Sequence, residues 1–345
     1  MASGKTTNER GREASRNSGG TVVNGLVVKN TGAWYTVLPD GTSLPAAGGI
    51  PPESGEIMCK IKGNFRLKGI RTTNPVAVGD RVEVRVAPDG SAFITAISQR
   101  KNYIIRRASN LSKEASILAA NVDLALIVAT LKHPLTSTNF IDRFLATAEA
   151  YGVEGALVIN KTDLLENDEE RELLEAVAYL YRSIGYRVFT LSAKTGEGVD
   201  MLRDAIQGMI TLISGNSGVG KSTLINDLIP GLELRTAEIS QVHDQGMHTT
   251  TFSEMCALPG GGWLIDTPGV RGFGTLDMDE HEVGHFFPEI FKESHDCRYG
   301  DCTHTHEPGC AVLQAVAEGR IAQSRYASYR SVMEDADADK YRKPF

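Results

Sequence analysis

The sequence predicts a chain in three parts: a small N-terminal β-barrel, a central doubly wound α/β domain, and a short helical C-terminal domain around a metal cluster. Three observations predict it. Short Val/Ile/Thr-rich runs separated by turn residues fill 21–98. Apolar runs alternate with helical patterns from residue 122 onward. Three cysteines fall within fourteen positions, 297–310, with histidines among and beside them. A length of 345 residues supports two or three such domains.

Composition narrows the class. Hydrophobic residues make up 41% and charged residues 23%, which excludes a fully disordered chain, a collagen-like repeat and a disulfide-rich miniprotein. The most apolar stretch, Val122 to Leu131, is too short for a membrane span and contains Asp123. Five cysteines, an odd number, argue for a reduced compartment, hence the cytoplasm, rather than a disulfide framework. The net charge of −7 conceals an asymmetry: +9 over residues 1–113 and −16 over 114–345. A basic end on an acidic body is expected to face a polyanion such as nucleic acid.

Residues 1–20 are polar, basic and Gly/Ser-rich, and read as a disordered arm. The segments Thr21–Lys29, Ala33–Leu38, Glu56–Ile61, Arg81–Val86 and Ala92–Ile97 then read as strands, split by Pro39-Asp40-Gly41, Pro51-Pro52 and Pro88-Asp89-Gly90. Lys60, Lys62, Arg66, Lys68 and Arg71 lie near Phe65, a pattern that suits an OB-like nucleic-acid-binding barrel over 21–98. Residues 99–121 read as a basic linker. Over 122–278 the order is strand Val122–Thr130, helix Asn139–Ala150, strand Gly155–Ile159, helix Glu169–Ile184 and strand Arg187–Leu191. Helix Val199–Gln207, strand Ile210–Ser214, helix Lys221–Leu228 and strand Trp263–Ile265 follow. This alternation predicts a mostly parallel sheet with helices on both faces. Residues 279–345 read as short helices around the Cys/His cluster, with a frayed acidic tail at 334–339.

Gly215-Asn216-Ser217-Gly218-Val219-Gly220-Lys221-Ser222 matches the phosphate-loop pattern at every defined position, between an apolar strand and a helix. Its glycines let backbone N–H groups wrap phosphates at a helix N-terminus. Lys221 is expected to neutralise the β- and γ-phosphates, with Ser222, followed by Thr223, on Mg²⁺. Asn160-Lys161-Thr162-Asp163 follows a strand directly. A carboxylate at Asp163 can accept from both guanine N1–H and the 2-amino group, donors that adenine lacks, so the motif selects GTP. Asn160 offers its amide to the base and neighbouring loops, and the Lys161 stem can cover the ring. Ser192-Ala193-Lys194 follows the next strand and suits the loop that meets guanine O6. Here the base motifs precede the phosphate loop and Asp266-Thr267-Pro268-Gly269 comes last, so the domain reads as a circularly permuted P-loop GTPase.

That motif order, the preceding OB-like barrel, the segment Gly246-Met247-His248-Thr249-Thr250-Thr251 and the Cys/His cluster together resemble the ribosome small-subunit-dependent GTPase A family (RsgA, also called YjeQ), over roughly residues 21–330. The resemblance implies Mg²⁺-dependent GTP hydrolysis stimulated by the small (30S) ribosomal subunit and a role in its late maturation. Asp266 is expected to hold Mg²⁺ through water, with the Gly269 N–H at the γ-phosphate. Thr250 is the candidate switch threonine on Mg²⁺, with Thr249 and Thr251 as adjacent alternatives. Val270 stands where Ras-type enzymes carry a water-orienting glutamine, and its side chain cannot hydrogen-bond water. That task is assigned to His248, which the resemblance supports.

Cys297-x4-Cys302-x-His304-x5-Cys310 offers three sulfurs and one nitrogen, suited to one closed structural Zn²⁺ site. His295 and His306 are spare imidazoles, and the family pattern favours His304. Cys59 and Cys256 lie in strand patterns and read as buried hydrophobes. Arg298, Arg320, Arg325 and Arg330 are candidate rRNA contacts or a solvated face. The expected protein is a monomeric cytoplasmic GTPase acting as a release switch on 16S rRNA in the small subunit, with a guanine site that also admits (p)ppGpp. The competing readings are a nucleotide-gated RNA-binding module and a permuted GTPase with a non-ribosomal partner.

Overall fold

A computed structural model describes residues 20–43, 48, 55–61, 75–107, 115–232, 254–266 and 281–341, with backbone alone at 106–107, 115–116 and 336–341. The expected arm and the residues Lys62, Phe65, Arg66, Lys68 and Arg71 lie outside them, except for Gly20.

Period-2 alternation builds the barrel. In β4 (Arg81–Val86) Val82 and Val84 are buried while Arg81 and Arg85 are exposed. In β3 (Ile57–Ile61) Cys59 points inward between exposed Met58 and Lys60. With β1 (Thr21–Asn30), β2 (Tyr35–Pro39) and β5 (Ala92–Ile97) these close in the order β1-β2-β3-β5-β4. All pairs are antiparallel except β3–β5. A bulge between Val27 and Lys29 bends β1 so that it pairs on both sides, as closure requires. Val27, Tyr35, Val37, Cys59, Val84 and Ile94 fill the interior, which matches the OB-like expectation.

Residues 99–121 differ from the linker reading. They contain an antiparallel pair, β6 (Tyr103–Arg107) and β7 (Ala115–Ala120). The apolar members Ile104, Ile117 and Ala119 are buried, and Val78 bridges Ala119, so the pair is packed between barrel and sheet. Two of the cations that suggested a basic linker are engaged: Arg100 Nε donates to Asp80 Oδ1 at 2.6 Å, and Lys101 pairs with Asp123.

Among the described residues the central sheet has six strands, in order β10 (Arg187–Thr190), β9 (Glu154–Ile159), β8 (Leu124–Ala129), β11 (Ile210–Gly215), β13 (Trp263–Asp266), β12 (Met255–Ala257). All pairs are parallel except the β12–β13 edge. Buried β8 supplies both faces. Ala125, Ile127 and Ala129 pack with α1 (Thr138–Ala150) and α2 (Asp168–Ile184), while Leu124, Leu126 and Val128 pack with α3 (Val199–Ala205) and α4 (Lys221–Leu228). Ser137 caps α1 and Asn167 caps α2 through side-chain oxygens, while Gly185 ends α2 in the left-handed region. Barrel and sheet edge meet where Lys29 Nζ reaches Glu254 Oε1 at 2.9 Å.

The C-terminal domain holds α5 (Pro288–Ser294), α6 (Ala311–Ala317) and α7 (Gln323–Tyr341). The tail read as frayed continues α7 to Tyr341. Its alanines are strong helix formers, and Arg143 of α1 pairs with Asp335 at 2.5 Å.

Candidate nucleotide site and metal centre

Every loop of the candidate nucleotide site leaves the carboxyl end of a parallel strand, where open α/β sheets bind ligands. After β11 the chain turns sharply. A Cβ on Gly215 would lie 2.4 Å from Val128 O, and Gly220 has φ of 90°, so both positions require glycine. Asn216, Ser217 and Gly218 are exposed, Val219 is buried, and Ser222 and Thr223 sit half-buried in the first turn of α4. The Lys221 ammonium donates to Gly215 O at 2.7 Å. Burial pulls its pKa below the usual lysine value, opposed by the negative charge of Asp266.

Asn160, at the end of β9, is 3% exposed and joins two other loops. Its Nδ2 donates to Val219 O at 2.8 Å in the phosphate loop, and its Oδ1 accepts from Ala193 N at 2.9 Å. Lys161 takes left-handed φ of 65°, and its Nζ donates to His133 O at 2.6 Å. Exposed Asp163 accepts from the buried Ser192 hydroxyl at 2.7 Å, which holds the carboxylate beside the 192–194 turn. Thr162 N donates to Leu191 O, and Lys194 is exposed. Asp266 ends β13, paired in register with Ile213.

The structure thus brings together Asn160 to Asp163, Ser192 to Lys194, Gly215 to Thr223, and Asp266. His248, Thr249, Thr250, Thr251, Gly269 and Val270 lie outside the described residues. One contributor was missed: the turn after β8, where Pro134 packs against Gly218 and the His133 carbonyl seats Lys161. Only its place after a strand paired to the phosphate-loop strand could have flagged it.

In the C-terminal domain the metal-ligand atoms of Cys297, Cys302, His304 and Cys310 all lie within 4.8 Å of one another. His304 Nδ1 is 3.5 Å from both Cys297 Sγ and Cys310 Sγ, and these sulfurs are 3.9 Å apart. A tetrahedral zinc with bonds of ~2.3 Å to sulfur and ~2.0 Å to nitrogen has edges of about 3.8 and 3.5 Å, so the donors fit that ion. The spare imidazoles turn away: His295 Nδ1 contacts Phe291 O at 2.8 Å and His306 Nδ1 contacts Thr305 Oγ1 at 2.8 Å. From α7, Tyr326 and Tyr329 donate to the carbonyls of His304 and Thr303, both at 2.8 Å. Burial, opposed by a hydrogen bond from the His304 backbone and reinforced by crowding from the neighbouring thiols, pushes the Cys302 thiol up to about 12. A cation replacing those protons would relieve that crowding. Cys59 is buried and Cys256 half-buried, with thiols raised by burial to about 12 and about 11, as core residues would be.

Arg325 corrects the rRNA-contact reading. It is 1% exposed, with Nη1 on Asp142 Oδ1 of α1 at 2.7 Å and Nε on Glu289 Oε1 of α5 at 2.6 Å. Tyr181 OH also donates to Asp142 Oδ1 at 2.7 Å. The guanidinium therefore binds the C-terminal domain to the α1 face and is unavailable to RNA. Arg298 is exposed, whereas Arg320 pairs with Glu293 and Glu318, and Arg330 with Glu334.

The RsgA GTPase family model matches residues 97–276, and the RsgA N-terminal domain model matches residues 24–94. The chain belongs to the RsgA GTPase family. It is 58% identical over 318 residues to the small ribosomal subunit biogenesis GTPase RsgA of Bacteroides fragilis strain YCH46, covering 92% of this chain and 98% of that one. The RsgA of Porphyromonas gingivalis strain W83 is 56% identical over 326 residues, covering 93% and 99%. Among solved structures, YjeQ from Thermotoga maritima aligns with a TM-score of 0.72 at 34% identity, over 92% of this chain and 99% of that one. YloQ, described as a circularly permuted GTPase, aligns at 0.69 and 29% identity, over 94% and 97%. The chain enters the parallel strands at β8, and β11, which precedes the phosphate-loop pattern, pairs beside it, so the loops after β8, β9, β10 and β11 open at one edge of the sheet although the base motifs come first in sequence.

Proposed function

We propose that this protein hydrolyses GTP to GDP and phosphate on the small ribosomal subunit, as a switch that times its own release late in subunit maturation. The interlock at Asn160 carries the nucleotide half of this reading, because one buried amide holds the phosphate loop and the guanine loop in register. The relatives' names support the ribosomal half. In this reading the barrel lies on 16S rRNA, and the monomeric protein works in the cytoplasm. Among the described residues no helix is long and apolar enough to cross a membrane.

The roles follow the chemistry. Asp163 accepts the guanine donors, the 192–194 turn meets O6, and the Lys161 stem covers the ring. Lys221 leaves Gly215 O to neutralise the phosphates. Ser222, Asp266 and Thr250 would hold Mg²⁺, which would supply positive charge against the phosphates, and the Gly269 N–H would meet the γ-phosphate. His248 orients the attacking water, in the absence of a glutamine at Val270. The same site admits (p)ppGpp, whose base and 5′-diphosphate present the same groups. Subunit binding is expected to bring His248 to the attacking water, so subunits are expected to raise the GTPase rate. Co-sedimentation with isolated subunits in a non-hydrolysable GTP analogue, paired with rates with and without subunits, tests this; equal rates would overturn the stimulated-switch reading. Asp163→Asn is expected to lower GTP affinity by roughly 10²-fold or more, since the site loses an acceptor built for two donors. Xanthosine triphosphate, which carries a carbonyl in place of the 2-amino group, is expected to regain binding in a competition titration.

Zinc in the Cys297/Cys302/His304/Cys310 site would staple a domain with a small core. Cys310→Ser is expected to lower bound zinc from one per chain toward none by metal analysis. Tyr326 and Tyr329 would then lose their carbonyl partners, and protease cleavage within 297–310 would report it, while GTP binding persists.

A further inference from the structure

The outer face of the barrel carries one continuous row of side chains that neither the nucleotide chemistry nor the metal centre uses. Register defines it: Val22 of β1 pairs with Arg85 of β4, Arg85 with Phe93 of β5, and Phe93 with Lys60 of β3. From Lys60 the row continues to Trp34 in the β1–β2 turn, whose ring centroid lies 4.2 Å from the Lys60 ammonium. Met58 stands on the same face two residues before Lys60. The apolar members are exposed: Trp34 is 41%, Phe93 38% and Met58 62% accessible. An isolated exposed apolar residue needs no explanation, but a row that alternates cation and aromatic across three strands does.

The charges in this row differ from the other cations of the barrel. Lys29 pairs with Glu254, Arg81 with Asp40, and Arg100 with Asp80. Among the described residues no ion pair involves Lys60 or Arg85. The carboxylate on the same face of β4, Glu83, accepts from Thr95 Oγ1 at 2.6 Å and makes no ion pair with Arg85. Of the basic excess in this part of the chain, the described portion left free of acid partners concentrates beside two exposed aromatic rings.

The geometry points to this row as a stacking platform for unpaired RNA bases. Trp34 and Phe93 each present a ring to a base, while Lys60 between them and Arg85 beyond meet the backbone phosphates. Stacking is tolerant of base identity and needs bases free of a duplex, so the occupant is single-stranded RNA rather than a helix. An acidic protein segment would satisfy the cations but would leave the flat rings without matching planes. The inference rests on the reading that the barrel lies on ribosomal RNA.

The test uses the full chain with bound GTP analogue. Three probes are compared: a twelve-nucleotide oligouridine, a duplex RNA of equal length, and isolated small subunits. Trp34→Ala and Phe93→Ala are each expected to weaken oligouridine binding roughly tenfold, and Trp34→Phe to restore most of the loss. Lys60→Gln is expected to reduce the slope of log affinity against log salt by about 0.7. GTP affinity and thermal melting of each variant check that the fold is intact. Wild-type affinities for the oligouridine and its variants, or equal preference for duplex, would overturn the platform. Loss of subunit binding by variants of a wild type that ignores oligouridine would assign the row to a protein and overturn it too. Oligouridine binding through the row without any subunit binding would support the platform and remove the ribosomal reading instead.

Discussion

Lys221→Ala is expected to reduce GTP turnover by roughly 10²–10³-fold, the loss typical of removing one preorganised charge from a developing anion. In the structure the Lys221 ammonium rests on Gly215 O, inside the loop proposed to cradle the phosphates it would neutralise, and burial already weakens its hold on the proton. The sign of the pH effect follows. The folded pKa lies below the ordinary lysine value, so raising pH removes this proton before those of exposed lysines. Nucleotide affinity should therefore fall on the alkaline side earlier in wild type than in Lys221→Arg, whose guanidinium stays charged. Titrating a fluorescent GTP analogue between neutral and alkaline pH checks it; parallel curves would separate Lys221 from phosphate binding. The same Ala variant tests the switch. If it still leaves the small subunit at the wild-type rate, hydrolysis does not time release.

Arg325→Met is expected to destabilise docking of the C-terminal domain by about 3–5 kcal/mol, the range for removing one partner of a buried ion pair. Asp142 is buried and would be left with only its neutral partners, and Glu289 would lose both of its contacts to the guanidinium. Burial already raises the Asp142 pKa, against the attraction of Arg325. An acid whose folded pKa is raised is favoured at low pH and disfavoured as pH climbs from its unfolded value, near 3.9, through its folded one. Loss of Arg325 raises that folded value further. The deficit of Arg325→Met should thus be small in mild acid and grow toward neutral pH, measurable as a widening gap in melting temperature from wild type. Replacing the charges together, as Arg325→Met with Asp142→Leu and Glu289→Met, is expected to recover most of the stability, since no orphaned charge remains. A triple variant as weak as the single one would show that the guanidinium acts by packing against Phe287, Tyr181 and Tyr186, whose ring centroids lie 4.8–5.9 Å from it.

Legibility in the sequence followed the range of the interactions. The proposed phosphate loop and base-reading loop are each one short contiguous run, because backbone N–H groups that wrap phosphates must come within a few residues and the strand before each run sets its direction. Gly215, Gly220, Asn160 and Asp163 could be read singly for that reason. The barrel and the alternating α/β order followed from side-chain period. The segment 99–121 misled because its many charges masked the apolar members Ile104 and Ile117, and a hairpin is recognised by which residues end up buried.

By itself, then, the sequence determined the three-part order, the permuted motif arrangement, the residue patterns proposed for guanine and phosphate, and the thiol-rich cluster, each encoded in residue type at short spacing. Only the tertiary structure decided which imidazole faces the sulfurs, since His295, His304 and His306 differ in direction rather than kind. Only it assigned Arg325, whose partner Asp142 lies 183 residues away and whose surface reading failed because burial depends on what packs on top. It alone aligned Arg85, Phe93, Lys60 and Trp34 into one row. Strand register, a long-range property, places residues far apart in the chain within a few ångströms, and nothing in their local sequence states it.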